Sequence, residues 1–176
     1  MSPTSPEISG SVRIGHGCKF GSGVRIVATG HALIEIGNRC HLKSGAILNA
    51  YGGHIRVMDR VTIGEYCVVY GHGGIEIGHG TAIAPHVVIT AQEHILDSDF
   101  PIRFSGETTA GIRIGANCLL SARSIVLDGV ELGNRCVIGA GSVVTRSMPA
   151  GFVCFGVPCR PIKLIERNFN YGWPDD

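Results

Sequence analysis

Residues 112–144 read IRIGANCLLSARSIVLDGVELGNRCVIGAGSVV, and from Ile114 onward an aliphatic side chain returns every six positions, at Leu120, Val126, Leu132, Ile138 and Val144. A helix repeats about every 3.6 residues and an alternating strand about every two, so neither alone predicts this interval. Short straight segments joined by corners do, with each segment aiming one bulky side chain inward. A short period sustained over several units marks a β-solenoid, whose coils bury their inner faces only against neighbouring coils.

Phased backwards, the repeat starts at Ile8, Ile14, Phe20 and Ile26, then at Ile36, Leu42 and Leu48. It continues at Val57, Ile63 and Val69, then at Ile77, Ile83 and Ile89. Three hexads make an 18-residue coil, and coils begin at residues 14, 36, 57, 77, 114 and 132. The steps between them are 22, 21, 20, 37 and 18 residues, so every insertion falls after a third hexad. The spacing therefore predicts a triangular coil with one corner open to insertions. The longest insertion, about residues 90–111, is too large to be a corner adjustment.

The fifth hexad position holds small residues, among them Cys18, Cys40, Cys67, Cys118 and Cys136, as expected where a tight corner leaves little room inside. These thiols read as small core hydrophobes. Glycine after the aliphatic (Gly15, Gly37, Gly64, Gly78, Gly115, Gly133) fits backbone bends, as does the Gly-Asn at 37–38 and 133–134.

Charged residues make up 16% of the chain and the net charge is +1, which argues against a nucleic-acid partner or membrane insertion. Seven cysteines, an odd number, with no C-x-x-C pair argue against a disulfide framework or a zinc ribbon. The opening MSPTSPEISG lacks a basic stretch followed by an apolar run, so the expectation is a cytoplasmic protein. The expected organisation is a tail at 1–7, a β-helix at 8–149 and a capping segment at 150–176. In that cap, residues 162–168 (IKLIERN) read as a short helix, and the final NYGWPDD as irregular or docked on a neighbour.

VIGAGSVVTRSMPAGFVCFGVPCRPIK, from Val137, resembles the closing segment of the galactoside and maltose acetyltransferases. EHILDSDFPIRFSGET, from Glu93, resembles the catalytic loop of sugar and polysaccharide O-acetyltransferases. The chain is thus similar to the hexapeptide-repeat acyltransferases over about residues 10–165. The resemblance implies an all-β, left-handed parallel β-helix, a homotrimer, and acetyl-CoA bound in a groove between subunits. Two stretches depart from the family's pattern. Leu119-Leu120-Ser121 replaces its usual Trp-Ile-Gly, and Tyr70 stands where an acceptor-binding Asn is common.

The long insertion contains one histidine, His94. Acyl transfer to a hydroxyl needs a base that titrates near neutrality, which imidazole does. The resemblance places the family's catalytic His on this same loop, so His94 is the candidate general base. Tyr70 and His72 are candidate acceptor contacts. His31, His54 and His72, one per coil at the inserted corner, are candidates for a polar column leading to His94. For the cofactor, the resemblance carries over onto Ala122, Ala140, Thr145, Arg146 and Lys163. Ala122 and Ala140 are 18 residues apart and should stack. No metal site is expected, since no two histidines have the spacing a zinc-bearing relative of this fold would need.

The function these features imply is transfer of an acetyl group from acetyl-CoA to a hydroxyl of a sugar or sugar-like acceptor. N-acetylation of an amino sugar is the second reading, and a non-enzymatic β-helix scaffold a distant third.

Overall fold

The computed structural model describes residues 5–166. Its backbone winds as a parallel β-helix whose three flat faces each stack one short strand per coil. The first face carries residues 11–14, 33–36, His54–Val57, Ile75–Ile77, Ile112–Ile114 and Glu131–Leu132. The second carries Lys19–Phe20, His41–Leu42, Thr62–Ile63, Ala82–Ile83, Leu119–Leu120 and Val137–Ile138. The third carries residues 25–27, Ile47–Asn49, Val68–Tyr70, Val88–Thr90, Ile125–Val126 and Val143–Val144.

The registers align the hexad aliphatics into three columns. Leu42 pairs with Ile63, Ile83 with Leu120, Leu48 with Val69, Val69 with Ile89, and Val126 with Val144. Across the 19-residue excess, Ile77 still pairs with Ile114. All of these side chains are buried, and burying each fully is worth about 1.5–3 kcal/mol. The first coil is the open end, where Ile8 and Ile14 are 46% and 37% exposed.

The corners obey a stricter rule than the hydrophobic pattern shows. The glycine after the aliphatic does not have a positive φ; the fourth hexad position does. Arg39, Arg60, Asn117 and Arg135 occupy it at the corner after the first face, with φ between 54° and 60°. Tyr66, His86 and Arg123 occupy it at the corner after the second face, with Gly23, Gly45 and Gly141 in the other coils. The second-position glycine is required by contact instead. A Cβ on Gly115 would lie 2.6 Å from the Asn134 backbone N, and one on Gly78 would lie 2.5 Å from the Ala116 N.

Fifth-position cysteines also tie coils together. The Sγ of Cys40 lies 3.1 Å from the Met58 carbonyl, that of Cys67 3.1 Å from Ala84 O, and that of Cys118 3.2 Å from Gly133 O. Thr81 does the same with its hydroxyl, 2.9 Å from Gly115 O. A thiol therefore fills the small corner and donates to a carbonyl of the next coil. Burial pushes the Cys40 thiol up to about 11 and raises Cys67, Cys118 and Cys136 as well.

The expected C-terminal helix is not present. Cys159–Leu164 is a strand, antiparallel to Phe152–Gly156, which itself extends the second face in parallel from Val137–Ile138. The last coil leaves an open strand edge that only another strand can pair. Pro161 lacks an N–H and favours extended backbone, and the ladder shifts register beside it. Cys154 and Cys159 are buried in this cap. The remainder of the expected helix, residues 167–168, and the tail at 170–176 lie outside the described residues.

On the outside, the first face carries alternating charges. Arg13 pairs with Glu35 at 3.2 Å, Arg56 with Glu35 at 3.1 Å and with Glu76 at 3.5 Å, and Arg113 with Glu76 at 3.9 Å. Each exposed pair contributes at most about 1 kcal/mol, but the run marks this face as solvated. The third face presents Ile47, Val68, Val88, Ile125 and Val143 outward, all half-buried.

Two outcomes follow from this packing. Gly115→Ala should lower stability by about 1–3 kcal/mol, read as a drop in the urea midpoint, because the clash is with backbone; an unchanged midpoint would contradict the stacking. Cys40, Cys67, Cys118 and Cys136 should react with a thiol reagent only on unfolding, with half-buried Cys18 in the end coil modified first.

Candidate active site

The long insertion is an arm that leaves and rejoins the helix at the corner between the third and first faces. Its stem is a two-stranded antiparallel ladder, Glu93–His94 against Glu107–Thr108, with His94 opposite Glu107. Its tip includes a 3-10 turn at Ile102–Phe104. The returning strand is anchored by Asp128, whose carboxylate accepts the N–H of Ala110 at 2.7 Å and of Gly111 at 2.8 Å. Sequence reasoning passed over Asp128; its place just before Gly129, at the inserted corner of the next coil, was the available signal. His94 itself is exposed, as are Leu96 (78%), Phe100 (67%) and Phe104 (70%) on the same arm.

At the base of the arm lies a cluster of three rings. His72 stacks flat on Tyr51, with centroids 4.3 Å apart and planes at 9°. Tyr70 meets Tyr51 edge-on at 5.0 Å and His72 at 6.3 Å. The Nδ1 of His72 is buried and has no hydrogen-bond partner among the described residues. Desolvation lowers the pKa of His72, partly offset by the negative charge of Glu107, so the arm stands close enough to act on this ring. Burial next to Tyr51 raises the pKa of the Tyr70 phenol. Tyr70 and His72 are thus brought together, joined by Tyr51, which the hexad pattern did not single out. The three corner histidines do not form a column. His31 is exposed, and the His54 ring covers Gly74, where a Cβ would lie 2.8 Å from its Nδ1.

The residues carried over for the cofactor fall on more than one edge. Ala122 and Ala140 stack at the corner between the second and third faces, where the Gly141 N–H donates to the Ala122 carbonyl at 3.0 Å. Thr145 and Arg146 are exposed just after Val143–Val144, at the inserted corner, and Lys163 is exposed on the capping hairpin. Leu119, where the family's Trp would stand, is 39% exposed. Within one chain the full width of the third face separates Ala122 and Ala140 from the arm's corner. Among the described residues no group of three His, Cys, Asp or Glu side chains is placed to hold a metal ion. No helix among them is long and apolar enough to cross a membrane.

The structure is similar to that of a variant of AntD, an N-acyltransferase from Bacillus cereus, in complex with dTDP-4-amino-4,6-dideoxyglucose and coenzyme A. The identity is 24%, over 88% of this chain and 84% of that one, with a TM-score of 0.78. A maltose O-acetyltransferase from Clostridium difficile 630 is 25% identical over 89% of this chain and 68% of its own, with a TM-score of 0.55. A hexapeptide-repeat-containing acetyltransferase from Vibrio cholerae is 21% identical over 88% and 74%, with a TM-score of 0.56. No curated protein matches the sequence. The hexapeptide repeat of succinyl-transferase matches residues 11–50 and 111–146, on both sides of the arm. Those stretches supply coils whose columns and corners are described above, and over them the chain carries the hexapeptide repeat.

Proposed function

We propose that the chain is a cytoplasmic acyltransferase that moves an acetyl group from acetyl-CoA to a hydroxyl of a sugar or sugar-like acceptor. The observation that carries this reading is the arm, the one long insertion in an otherwise regular helix, which holds His94 opposite Glu107, the carboxylate whose charge acts on His72 of the ring cluster. The binding of coenzyme A and an amino-sugar nucleotide by AntD, on the same fold, supports an acyl-CoA donor and a saccharide acceptor.

In the proposed reaction His94 removes the proton of the acceptor hydroxyl as its oxygen attacks the thioester carbonyl. The tetrahedral intermediate collapses with loss of the CoA thiolate, which takes the proton back from the imidazolium. No acyl-enzyme is involved. Ala122 and Ala140 would present backbone groups to the pantetheine arm. Thr145, Arg146 and Lys163 would meet the adenine and phosphate end, where cations form charge-assisted hydrogen bonds. Tyr70 and His72 would contact the acceptor.

The active form we propose is a homotrimer. A threefold arrangement that turns the apolar third face inward sets the arm's corner of one copy against the Ala122–Ala140 corner of the next. Three such contacts close the ring and complete three sites. N-acetylation of an amino sugar is the second reading, favoured by the higher structural similarity to AntD.

His94→Ala should lower kcat by roughly 10²–10⁴ and leave the CoA dissociation constant unchanged. Near-parental kcat at saturating acceptor would remove His94 as the base, whereas no CoA binding and no turnover in the parent would favour the scaffold reading. Assays with hydroxyl and amino sugars in parallel separate O- from N-transfer. Sedimentation should show a trimer; a stable, active monomer would refute the composite site.

A further inference from the structure

The corner that carries Ala122 and Ala140 continues through the earlier coils. At its third and fourth positions stand Ser22-Gly23, Ser44-Gly45, Glu65-Tyr66, Pro85-His86, Ala122-Arg123 and Ala140-Gly141. One hydrogen-bond ladder joins them: Gly45 N to Ser22 O at 2.9 Å, Tyr66 N to Ser44 O at 3.0 Å, His86 N to Glu65 O at 2.9 Å, and Arg123 N to Pro85 O at 3.1 Å. Coils are about 4.8 Å apart, so Tyr66 lies about 10 Å along this edge from Ala122, on the side away from Ala140.

Two features bear on Tyr66. Like His86 and Arg123 in the next two coils, it is a bulky residue at a left-handed position, φ 55°, that glycine fills in the other three coils and that disfavours large side chains. It is also 60% exposed, although its ring is held in place. On one side the His86 ring stacks on it, with centroids 5.5 Å apart and planes at 11°. On the other side the ring leans over Gly45, where a Cβ would lie 2.5 Å from its Cδ1. Beyond that, at Gly23, a Cβ would meet no atom nearer than the Gly45 N at 4.0 Å. The glycines at 45 and 23 bring no side chain of their own over the Tyr66 ring, which rests against the Gly45 backbone and stays 60% exposed.

Polar groups stand at the same corner in the same and the neighbouring coils. The hydroxyls of Ser22 and Ser44 lie 3.3 Å apart, and Lys43 pairs with Glu65 at 3.5 Å, each side chain more than a third exposed. A flat aromatic face beside hydroxyl, carboxylate and ammonium groups matches the two-sided chemistry of a pyranose: an apolar face of C–H groups and a rim of hydroxyls. We propose that Tyr66, held by His86 and flanked by Ser22, Ser44 and the Lys43–Glu65 pair, is a saccharide-binding platform for the acceptor. It lies on the same edge as the acyl donor and engages a sugar ring other than the one that reacts. This rests on the acyltransferase reading for its place in catalysis, but not for binding itself.

The test uses the full-length protein without CoA, with maltose, methyl β-galactoside and N-acetylglucosamine as probes in saturation-transfer NMR. Tyr66→Gly removes the ring and leaves the residue that this corner holds in other coils, so folding should be preserved. Tyr66→Phe keeps the stacking face. The expected result is binding of at least one probe by the parent, about tenfold weaker in Tyr66→Gly, within about threefold of the parent in Tyr66→Phe, with acetyl-CoA affinity unchanged. In turnover, Tyr66→Gly should raise the acceptor KM and spare kcat. Binding of none of the three sugars, or equal affinity in folded Tyr66→Gly, overturns the platform. Sugar binding through Tyr66 without acetyl transfer supports the platform and overturns the acyltransferase reading instead. Sugar acetylation with an unchanged acceptor KM in Tyr66→Gly overturns the platform alone.

Discussion

Every coil of this molecule must repeat the path of the one beneath it, because the parallel ladders of all three faces share one backbone. Two of the three corners are fixed by that demand. Each needs a left-handed fourth residue and holds a small fifth residue, which at Cys40, Cys67, Thr81 and Cys118 reaches a neighbouring carbonyl. At the first corner the second residue is glycine in every coil but that of Met58, and at Gly78 and Gly115 a Cβ would meet the backbone of the next coil. An extra residue at either corner would break contacts in the coils on both sides. The third corner has no such lock, and the chain bulges there by four, three, two and then 19 residues. The arm, the ring cluster and the Asp128 anchor all stand at this corner because it is the one place the helix can lengthen without unstacking.

The six-residue period made the core legible in advance. Each hexad aliphatic falls in its expected column, and the phase survives the arm, with Ile77 on Ile114 and Ile83 on Leu120. That success has a plain cause: burial selects residue type strongly, so one apolar side chain per segment leaves a trace in the sequence. Corner conformation leaves a weaker one. Glycine was conspicuous at the second position and suggested bends there, whereas the left-handed turns lie two residues later on Arg, Asn, Tyr and His. Glycine can signal lack of space as well as unusual φ, and a single sequence does not separate the two.

The C-terminal cap and the ring cluster were read less well. IKLIERN has the composition of a helix, but the open edge of the last coil offers unpaired backbone groups, and a strand satisfies them where a helix cannot. Tertiary pairing overrode local propensity, with Pro161 already opposing the helix. Tyr70 and His72 were legible as corner residues near the arm. Their joining through Tyr51 was not, because it depends on a ring from the preceding coil whose φ of 44° aims it across the corner.

The division of the site between corners bears on mechanism. His94 stands on an arm with exposed Leu96, Phe100 and Phe104, a surface costly to leave in water if the single chain were the working unit. The corner with Ala122, Ala140, Tyr66 and His86 has the opposite character: an edge whose successive coils are joined by backbone hydrogen bonds. Acyl transfer needs both a fixed track to align a long flexible donor and a base placed over its thioester end. On the reading proposed above, the repeated corner would supply the track and the insertion, through His94, the base. Because a face separates the two within one chain, a second copy is the simplest way to bring them together. The apolar outer residues of that face, Ile47, Val68, Val88, Ile125 and Val143, then supply a contact in the same place.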